Sequence, residues 1–284
     1  MHIPTPISGL PDQDTTFARI GAAVAAIGTE ACPPLLTALL RSVAPFSYTV
    51  VFGYCGAARP LDLYDDFPPA KRKIFVTDYQ AGPYLLDPFF LAAGSTPTPL
   101  LRRIRDLAPD RFYQGEYFRN YYIQTGLAEE IGYFIDVGGG ATVVLSLMRP
   151  DRPFGKREFR ALDEVRPVVH AIVAQHWRGI AGQFAAPAPS AGHTHDRTLD
   201  QSFHGFGAGL LTAREREVVE YTLKGHSAEA VGRLLGIASG TVRIHRRNIY
   251  AKLQISSQGE LFSRFIATLE HRSDAPQQHR APLR

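Results

Sequence analysis

Apolar residues in the first part of the chain follow a helical spacing and then a strand-like one. They recur every three to four positions in residues 17–27 and 33–43, which predicts two helices. Residues 47–54 are rich in β-branched and aromatic side chains and predict a strand. Further helical stretches are predicted over residues 70–80, 84–93 and 111–124.

Two strands and a closing helix complete this part of the chain. Residues 131–137 and 141–148 are separated only by Gly138, Gly139 and Gly140, which predicts a tight hairpin, since glycine readily takes positive φ angles. A helix interrupted at Pro167 is predicted over residues 159–177. We therefore expect an α+β fold class for residues 1–180: an α-β-α sensory sandwich with an antiparallel sheet, similar to GAF or PAS domains.

Composition changes sharply after this segment. Residues 181–207 are small, polar and proline-containing, which predicts a flexible linker. His193, His195 and His204 have no regular ligand spacing, so a solvated linker is the preferred interpretation over a metal site. Residues 208–270 regain helical periodicity, and the polar residues 271–284 predict a disordered tail.

The bulk composition narrows the class of protein. Two cysteines give neither a disulfide framework nor a metal cluster, and no apolar run approaches the length of a membrane span. The chain begins without the basic and apolar regions of a secretory signal. We expect a cytoplasmic protein with no cofactor, no metal and no contact with membranes.

The pattern of residues 208–270 predicts short helices around one small core. Thr212 and Glu215 have the spacing of a capping box, and Ser227 is placed to cap a second helix. After a turn at residues 236–238, a third helix, capped by Ser239 or Thr241, carries apolar residues on one side and arginines on the other. Between residues 210 and 269, nine Lys and Arg residues stand against five Glu, which favours a polyanionic partner.

These residues resemble a known DNA-binding family. Leu-Thr-x-Arg-Glu-x-Glu-Val at 211–218, Gly-x-Ser at 225–227 and Thr-Val-Arg-x-His-x-x-Asn-Ile-x-x-Lys-Leu at 241–253 are similar to the LuxR/NarL-type helix-turn-helix. The resemblance implies an all-α, four-helix domain whose third helix enters the major groove of double-stranded DNA. It implies DNA contacts from these residues: Ser239, Thr241, Arg243, Arg246, Arg247 and Lys252.

Glu229 and His245 differ from the other polar residues of this module in the role that we expect for them. Glu229 stands where the family usually has lysine, so we expect weak DNA affinity in a single copy and dependence on dimerisation. His245 lies at the edge of the buried face, where packing is preferred over reading of a base edge.

The first domain lacks the signatures of an enzyme or a phosphoreceiver. Asp65 and Asp66 lie in a turn-like context without the alternating β-α pattern of a receiver, and the three glycines lack the lysine of a phosphate loop. Aromatic residues are instead dense between Tyr79 and Tyr122, and residues 84–90 faintly resemble acyl-homoserine-lactone-binding domains, in which the aspartate holds the ligand amide.

The residues of the aromatic segment are compatible with more than one class of ligand. The only tryptophan is Trp177, far from the aromatic segment, which disfavours a lactone; an acid among aromatic rings suits a cationic amine. The alternative is that the aromatics are core residues and that Asp87 caps a helix before Pro88. The candidate ligand-binding residues are Tyr54, Tyr79, Tyr84, Asp87, Phe89, Tyr113, Tyr117 and Tyr121.

The sequence thus predicts a one-component transcription regulator and not an enzyme. A small-molecule effector, an amine, acyl or aromatic metabolite, is expected to change how two copies pair and so how they bind an operator, with the closing helix as a candidate interface. The alternative is a ligand-independent regulator whose first domain binds another protein.

Overall fold

The described residues form a domain of helices and one sheet, followed by a helical domain. The computed structural model describes residues 13–56, 58–95, 100–184, 203 and 205–273. The strands are β1 (Tyr48–Cys55), β2 (Leu61–Asp65), β3 (Leu101–Arg103), β4 (Glu129–Gly138) and β5 (Ala141–Arg149). The helices of the first domain are α1 (Gln13–Ala25), α2 (Cys32–Val43), α3 (Pro69–Arg72), α4 (Pro88–Ala93), α5 (Ile104–Leu107), α6 (Ile123–Thr125), α7 (Lys156–Glu164) and α8 (Arg166–His176).

The five strands form one antiparallel sheet in the order β2-β1-β5-β4-β3. β4 and β5 are joined by the predicted glycine hairpin, in which Gly138, Gly139 and Gly140 have φ of 83°, 66° and 76°. Side chains with a β-carbon are strained at such angles, so the turn depends on glycine.

Alternate residues of each strand enter two different cores. On β5, Val143, Leu145 and Leu147 face α1, α2, α7 and α8, whereas Val144 and Met148 face the elements between β2 and β4. The same alternation along β1 and β4 covers the sheet on both faces, which explains the nearly continuous burial of its central strands. The predicted α-β-α sandwich is confirmed.

The second face is built from short, irregular helices. A π-helical turn, Lys73–Asp78, extends α3, a 3₁₀ turn, Pro83–Leu86, precedes α4, and another π-helical turn, Phe118–Tyr122, precedes α6. The predicted helix at 84–93 is therefore wrong as one unit, because Asp87 is extended and caps α4. The predicted helix at 111–124 is likewise broken where Gly115 is extended. β2 and β3 were not predicted, because both are short edge strands.

The closing helix is interrupted as expected. α7 ends at Glu164 and α8 begins at Arg166, which places Pro167 in the first turn of α8, where its missing N–H costs no hydrogen bond. Within the described ranges, no helix is both long enough and apolar enough to span a bilayer.

Four helices make up the C-terminal domain: α9 (Ala213–Leu223), α10 (Ala228–Leu235), α11 (Ser239–Leu253) and α12 (Gln258–Ser273). The capping box of Thr212 with Glu215 and the cap formed by Ser227 are confirmed. A Ser239 or Thr241 cap on α11 is wrong, because Ala238 occupies the cap position and the helix begins at Ser239. Val231 is buried as expected, but Leu234 is 53% exposed.

Aromatic residues before α9 also join this domain. Phe203 stacks on Phe265 of α12 at 4.7 Å between ring centroids, and Phe206 meets the same ring edge-on at 5.7 Å. Both are buried. The histidines His193, His195 and His204 and the central part of the expected linker lie outside the described residues, as do residues 274–284 of the expected tail.

Candidate nucleic-acid interface and an acidic aromatic cavity

Helix α11 is held on the domain by one buried stripe and presents the opposite side to solvent. Val242, Ile249 and Leu253 are buried, as their spacing predicts. Thr241, Arg243 and Arg247 are exposed, while Ser239 is half-buried at the start of the helix. The helix follows α10 through a turn in which Gly236 has φ of 66°. A short basic helix exposed in this way has the dimensions that the major groove accepts.

The turn between α10 and α11 requires a glycine on α10. A β-carbon on Gly232 would lie 2.7 Å from the Ile237 carbonyl oxygen and 3.3 Å from the Ser239 amide nitrogen. Both are backbone atoms and cannot rotate away. Gly232 therefore permits the close approach of the two helices.

Three of the six predicted DNA contacts are engaged within the protein. Arg243 forms an ion pair with Glu229 of α10. Lys252 donates to Glu215 of the α9 capping box at 2.7 Å. Arg246 donates to the Thr222 hydroxyl and to the His226 carbonyl, both at 3.1 Å. Arg243 and Lys252 are partly exposed, so their pairs can open toward phosphate.

One exposed apolar residue lies on the same side of α11 and was not predicted as a DNA contact. Ile244, between Arg243 and the arginines that follow, is 51% exposed. An apolar side chain at the surface of a groove-binding helix can contact a thymine methyl group. The sequence contained a signal for this residue, because helical spacing places Ile244 among the arginines and away from the buried stripe. His245 is half-buried, as its position at the edge of the stripe suggests.

The first domain encloses a cavity between the sheet and the irregular helices. About 390 Å³ of unoccupied space, part of it open to solvent, lies among the lining side chains. The sheet contributes Val50, Phe52, Tyr54, Glu130, Ser146 and Met148, and the helical side contributes Phe75, Tyr79, Asp87, Phe89, Tyr117, Tyr121, Tyr122 and Thr125. An apolar, aromatic lining with a few convergent polar groups is typical of small-molecule sites.

Asp87 is fixed by a chain of hydroxyl groups and by the helix that it caps. Its Oδ1 accepts from the Phe89 amide at 2.9 Å, and its Oδ2 accepts from the Tyr79 hydroxyl at 2.7 Å. Because Tyr79 donates to Asp87, the Tyr54 hydroxyl donates to Tyr79, at 2.8 Å. Burial raises the pKa of Asp87 to about 6, against these hydrogen bonds, which lower it.

Glu130 is a second acid in the cavity and was missed, because the predicted strand began at Ile131. It is 8% exposed, as Asp87 is. Burial, and then the charge of Asp87, raise the pKa of Glu130 to about 8, while a hydrogen bond from Ser146 lowers it. The alternation of β4 contains the signal, since Glu130 is four positions before Phe134 and therefore on the same face.

Six of the eight predicted ligand-binding residues line this cavity: Tyr54, Tyr79, Asp87, Phe89, Tyr117 and Tyr121. Tyr84 lies outside the lining and packs edge-on against Phe90 at 5.1 Å. Tyr113 is 52% exposed and is not part of the lining. Asp87 both caps α4 and reaches the cavity, so the two interpretations of this residue hold together.

A short segment of the first domain contacts the C-terminal domain directly. The Arg111 amide donates to the Gly225 carbonyl at 3.0 Å, and the Ser227 amide donates to Oδ1 of Asp110 at 3.0 Å. A β-carbon on Gly225, which has φ of 95°, would lie 3.2 Å from the α-carbon of Phe112. The segment 110–115, here called the junction segment, therefore lies against the turn between α9 and α10.

The sequence of the C-terminal domain matches a known protein family over nearly its whole length. A family model described as bacterial regulatory proteins, luxR family, matches residues 209–265. An HTH-type transcriptional regulator from the exeN 3′ region of Aeromonas salmonicida is 35% identical over 154 residues, which span 53% of this chain and 79% of that protein.

The similarity also extends over both domains. The transcriptional activator protein SolR of Ralstonia solanacearum is 25% identical over 241 residues, covering 81% of this chain and 90% of that protein. Among solved structures, the VqsR LBD domain from Pseudomonas aeruginosa aligns with 58% of this chain and 95% of its own, with 22% identity and a TM-score of 0.49.

Proposed function

The chain belongs to the luxR family of bacterial regulatory proteins, and from that premise we propose that it is a one-component regulator whose first domain binds a small molecule and thereby controls DNA binding by the second. The relatives are transcription regulators, so this chain is a transcription regulator of the same type. The observation that carries the proposal is the acidic aromatic cavity of the first domain.

The cavity buries two carboxyl groups, Asp87 and Glu130, among aromatic rings. Burying a carboxyl group without a counter-charge costs stability, so a domain that served only as a docking platform would be more stable with apolar residues at these positions. An aromatic lining with a few convergent polar groups suits a small molecule that contacts both, and this supports ligand binding over docking alone.

The junction segment supports a physical route from the cavity to the DNA-binding domain. Tyr117, which lines the cavity, follows this segment directly. The segment contacts Gly225 and Ser227, and the intervening His226 holds Arg246 of α11 through its carbonyl. A ligand that moves the tyrosines would act on the turn that positions the recognition helix.

A dimer fits the size of the recognition surface. One exposed helix reads only a few base pairs, and two copies on two half-sites multiply the specificity. The pairing of Arg243 with Glu229 reduces the positive charge that a single copy offers to DNA, which supports dependence on dimerisation. The closing helix, now α7 and α8, stays our candidate for the interface between copies.

The cavity part of the proposal is tested by thermal-shift screening of the full chain against amines, acyl compounds and aromatic metabolites. We expect at least one class to raise the melting temperature, and Asp87→Asn to abolish that shift. Asp136→Asn makes the same chemical change on an exposed residue of β4 and should leave the shift intact. Absence of any stabilising compound, together with a tight protein partner, would favour the ligand-independent alternative.

A further inference from the structure

The cavity of the first domain holds more acid than its lining can compensate. Asp87 and Glu130 both reach it, and the lining residues include neither Lys, Arg nor His. An ionised group in a low-dielectric interior is stable only when a counter-charge or a proton neutralises it. The described lining supplies hydrogen bonds to Asp87 but no positive charge. Lys71 lies beside the lining, where its Nζ packs on the Phe75 ring and donates to the Thr125 carbonyl at 3.3 Å, and it forms no ion pair with either acid.

The neighbouring acid on the same strand shows what a compensated carboxylate looks like here. Glu129 lies on the opposite face of β4, where Arg103 donates to its Oε2 at 2.5 Å and the Phe154 amide donates at 2.7 Å. Arg103 itself is buried beside it. Two consecutive glutamates therefore have opposite environments. Glu129 is paired with a buried arginine, whereas Glu130 faces the cavity and has no cation beside it in the lining.

A further polar atom in the lining lacks a partner. The Tyr122 hydroxyl is buried and forms no hydrogen bond with any residue that the structure describes, although Tyr54, Tyr79 and Tyr121 all form one. Buried hydroxyl groups without a partner are rare, and this one belongs to a side chain that lines the cavity. The aromatic rings around it present electron-rich faces, which attract cations.

We propose that the cavity binds a small organic ammonium ion with an apolar body, whose charge lies between the carboxyl groups of Glu130 and Asp87. The body contacts the apolar side of the lining, which Val50, Phe52 and Met148 provide. The inference rests on the proposed function, because it assigns the ligand class of the same cavity. A neutral acyl amide would use Asp87 as an acceptor and would leave Glu130 neutralised only by its own proton.

Proton exchange distinguishes this mode of binding from binding of a neutral molecule. At neutral pH the Glu130 carboxyl is mostly protonated, because burial and the nearby Asp87 raise its pKa. An ammonium ion stabilises the ionised form, so binding releases a proton from the protein. A neutral ligand has no such effect on the Glu130 carboxyl.

The experiment is isothermal titration of the full chain with matched probes of different charge. Hexylamine, hexanol and hexanoate form one set, and phenethylamine, phenylethanol and phenylacetate form the second. We expect each amine to bind at least about tenfold more tightly than its alcohol, since an ion pair adds to the same apolar contact. The heat of amine binding should differ between phosphate and HEPES buffers, which have different ionisation enthalpies and contain no primary ammonium ion, and this difference reports the released proton.

Two variants connect the probes to the cavity. Glu130→Gln keeps the shape of the side chain and should weaken amine binding at least about tenfold while changing alcohol binding little. Glu30→Gln makes the same change on an exposed residue between α1 and α2 and serves as the control. Tyr122→Phe removes only the unpartnered hydroxyl; it should fold like the parent and weaken amine binding.

Alcohols that bind as well as amines, amine binding unchanged in Glu130→Gln, or no saturable amine binding up to about 1 mM would each overturn the assignment. A neutral compound that binds and alters DNA affinity would overturn the ammonium assignment but leave the sensor function standing. Amines that bind without altering DNA affinity would leave the assignment standing and count against the sensor function.

Discussion

At the scale of single residues, Glu130 is the acid of the cavity whose pKa is raised the most. Its pKa is raised to about 8 in the folded protein by burial and by Asp87, whereas in an unfolded chain a glutamate titrates near about 4.3. Between these values the folded state binds more protons than the unfolded state. The free energy of unfolding therefore falls as pH rises through this window.

We predict that Glu130→Gln removes this decline. Between pH 7 and 8 the parent should lose up to about 1.4 kcal/mol of stability per pH unit relative to the variant, and the difference should level off above the folded pKa. Urea unfolding at several pH values measures it, and taking the difference between parent and variant cancels the titration of the histidines. Parallel pH profiles for the two proteins would show that Glu130 has an ordinary pKa.

Gly232 gives a second prediction at this scale. Gly232→Ala places a methyl group against the backbone of the turn, because the nearest contact would be 2.7 Å, and we expect a loss of roughly 1–3 kcal/mol in unfolding free energy. Gly240→Ala on α11 is the matched control, since a β-carbon there meets nothing within 4 Å. Equal stability of the two variants in urea unfolding would contradict the proposed close approach.

The residue scale also shows where sequence reasoning succeeds. Tyr54, Tyr79, Asp87, Tyr117 and Tyr121 could be predicted, because aromatic density beside a single acid is visible without a structure. Tyr84 and Tyr113 share that density yet turn away from the cavity, since the direction of a side chain on a short irregular helix has no periodic signature. The structure adds Glu130 and Ser146, because strand pairing brings distant segments together, and Tyr122, which lies on the irregular turn Phe118–Tyr122.

At the scale of elements, an acid of α10 neutralises part of the positive charge on the exposed side of α11. Glu229 pairs with Arg243, one of the arginines that we propose contact DNA. We predict that Glu229→Gln raises operator affinity several-fold at low salt and less at high salt, because it removes a competitor for the arginine and a like charge near phosphate. Fluorescence anisotropy with a fragment selected by the full chain from a random DNA pool measures this.

Arg243→Ala and Arg247→Ala give the complementary prediction for the same helix. Each should weaken operator binding roughly tenfold or more, whereas Arg178→Ala, an exposed arginine of the first domain, should have no effect on binding. Far-ultraviolet circular dichroism checks that α11 is intact. Parent-like binding by both variants at moderate salt would mean that another surface reads the DNA.

Elements with strong local signals could be predicted and irregular ones could not. The glycine hairpin, the Thr212 capping box and the proline-interrupted closing helix each depend on a few neighbouring residues. The π-helical turns at Lys73–Asp78 and Phe118–Tyr122 have no such signature. They are fixed by packing of their aromatic residues over the sheet, as in the stacked pair of Phe67 and Phe75.

At the scale of the whole molecule, the two domains share a contact that neither domain's pattern predicts. Asp110 accepts from the Ser227 amide, so a side chain of the first domain binds the first turn of α10 in the second. The helix-turn-helix motif could be recognised from sequence because its spacing is local. The junction segment could not, because its partner lies 117 positions away along the chain.

We expect Asp110→Ala to weaken the link between the domains without unfolding either of them. The Ser227 hydroxyl still caps α10 through the Ala230 amide, so the helix keeps its main cap. Hydrogen exchange should increase at residues 225–227 and at the junction segment, and should stay unchanged in the sheet. Unchanged exchange at residues 225–227 would show that this contact does not hold the two domains together.

The two domains are proposed to be coupled: binding of a small molecule in the cavity changes the affinity of α11 for DNA. Operator affinity, measured by fluorescence anisotropy with and without saturating amounts of the compound that stabilises the first domain, tests it most directly. We predict a change of at least about fivefold in the parent, in the range of typical coupling energies, and a much smaller change in Asp110→Ala. Identical affinities for the parent with and without the bound compound would contradict the claim.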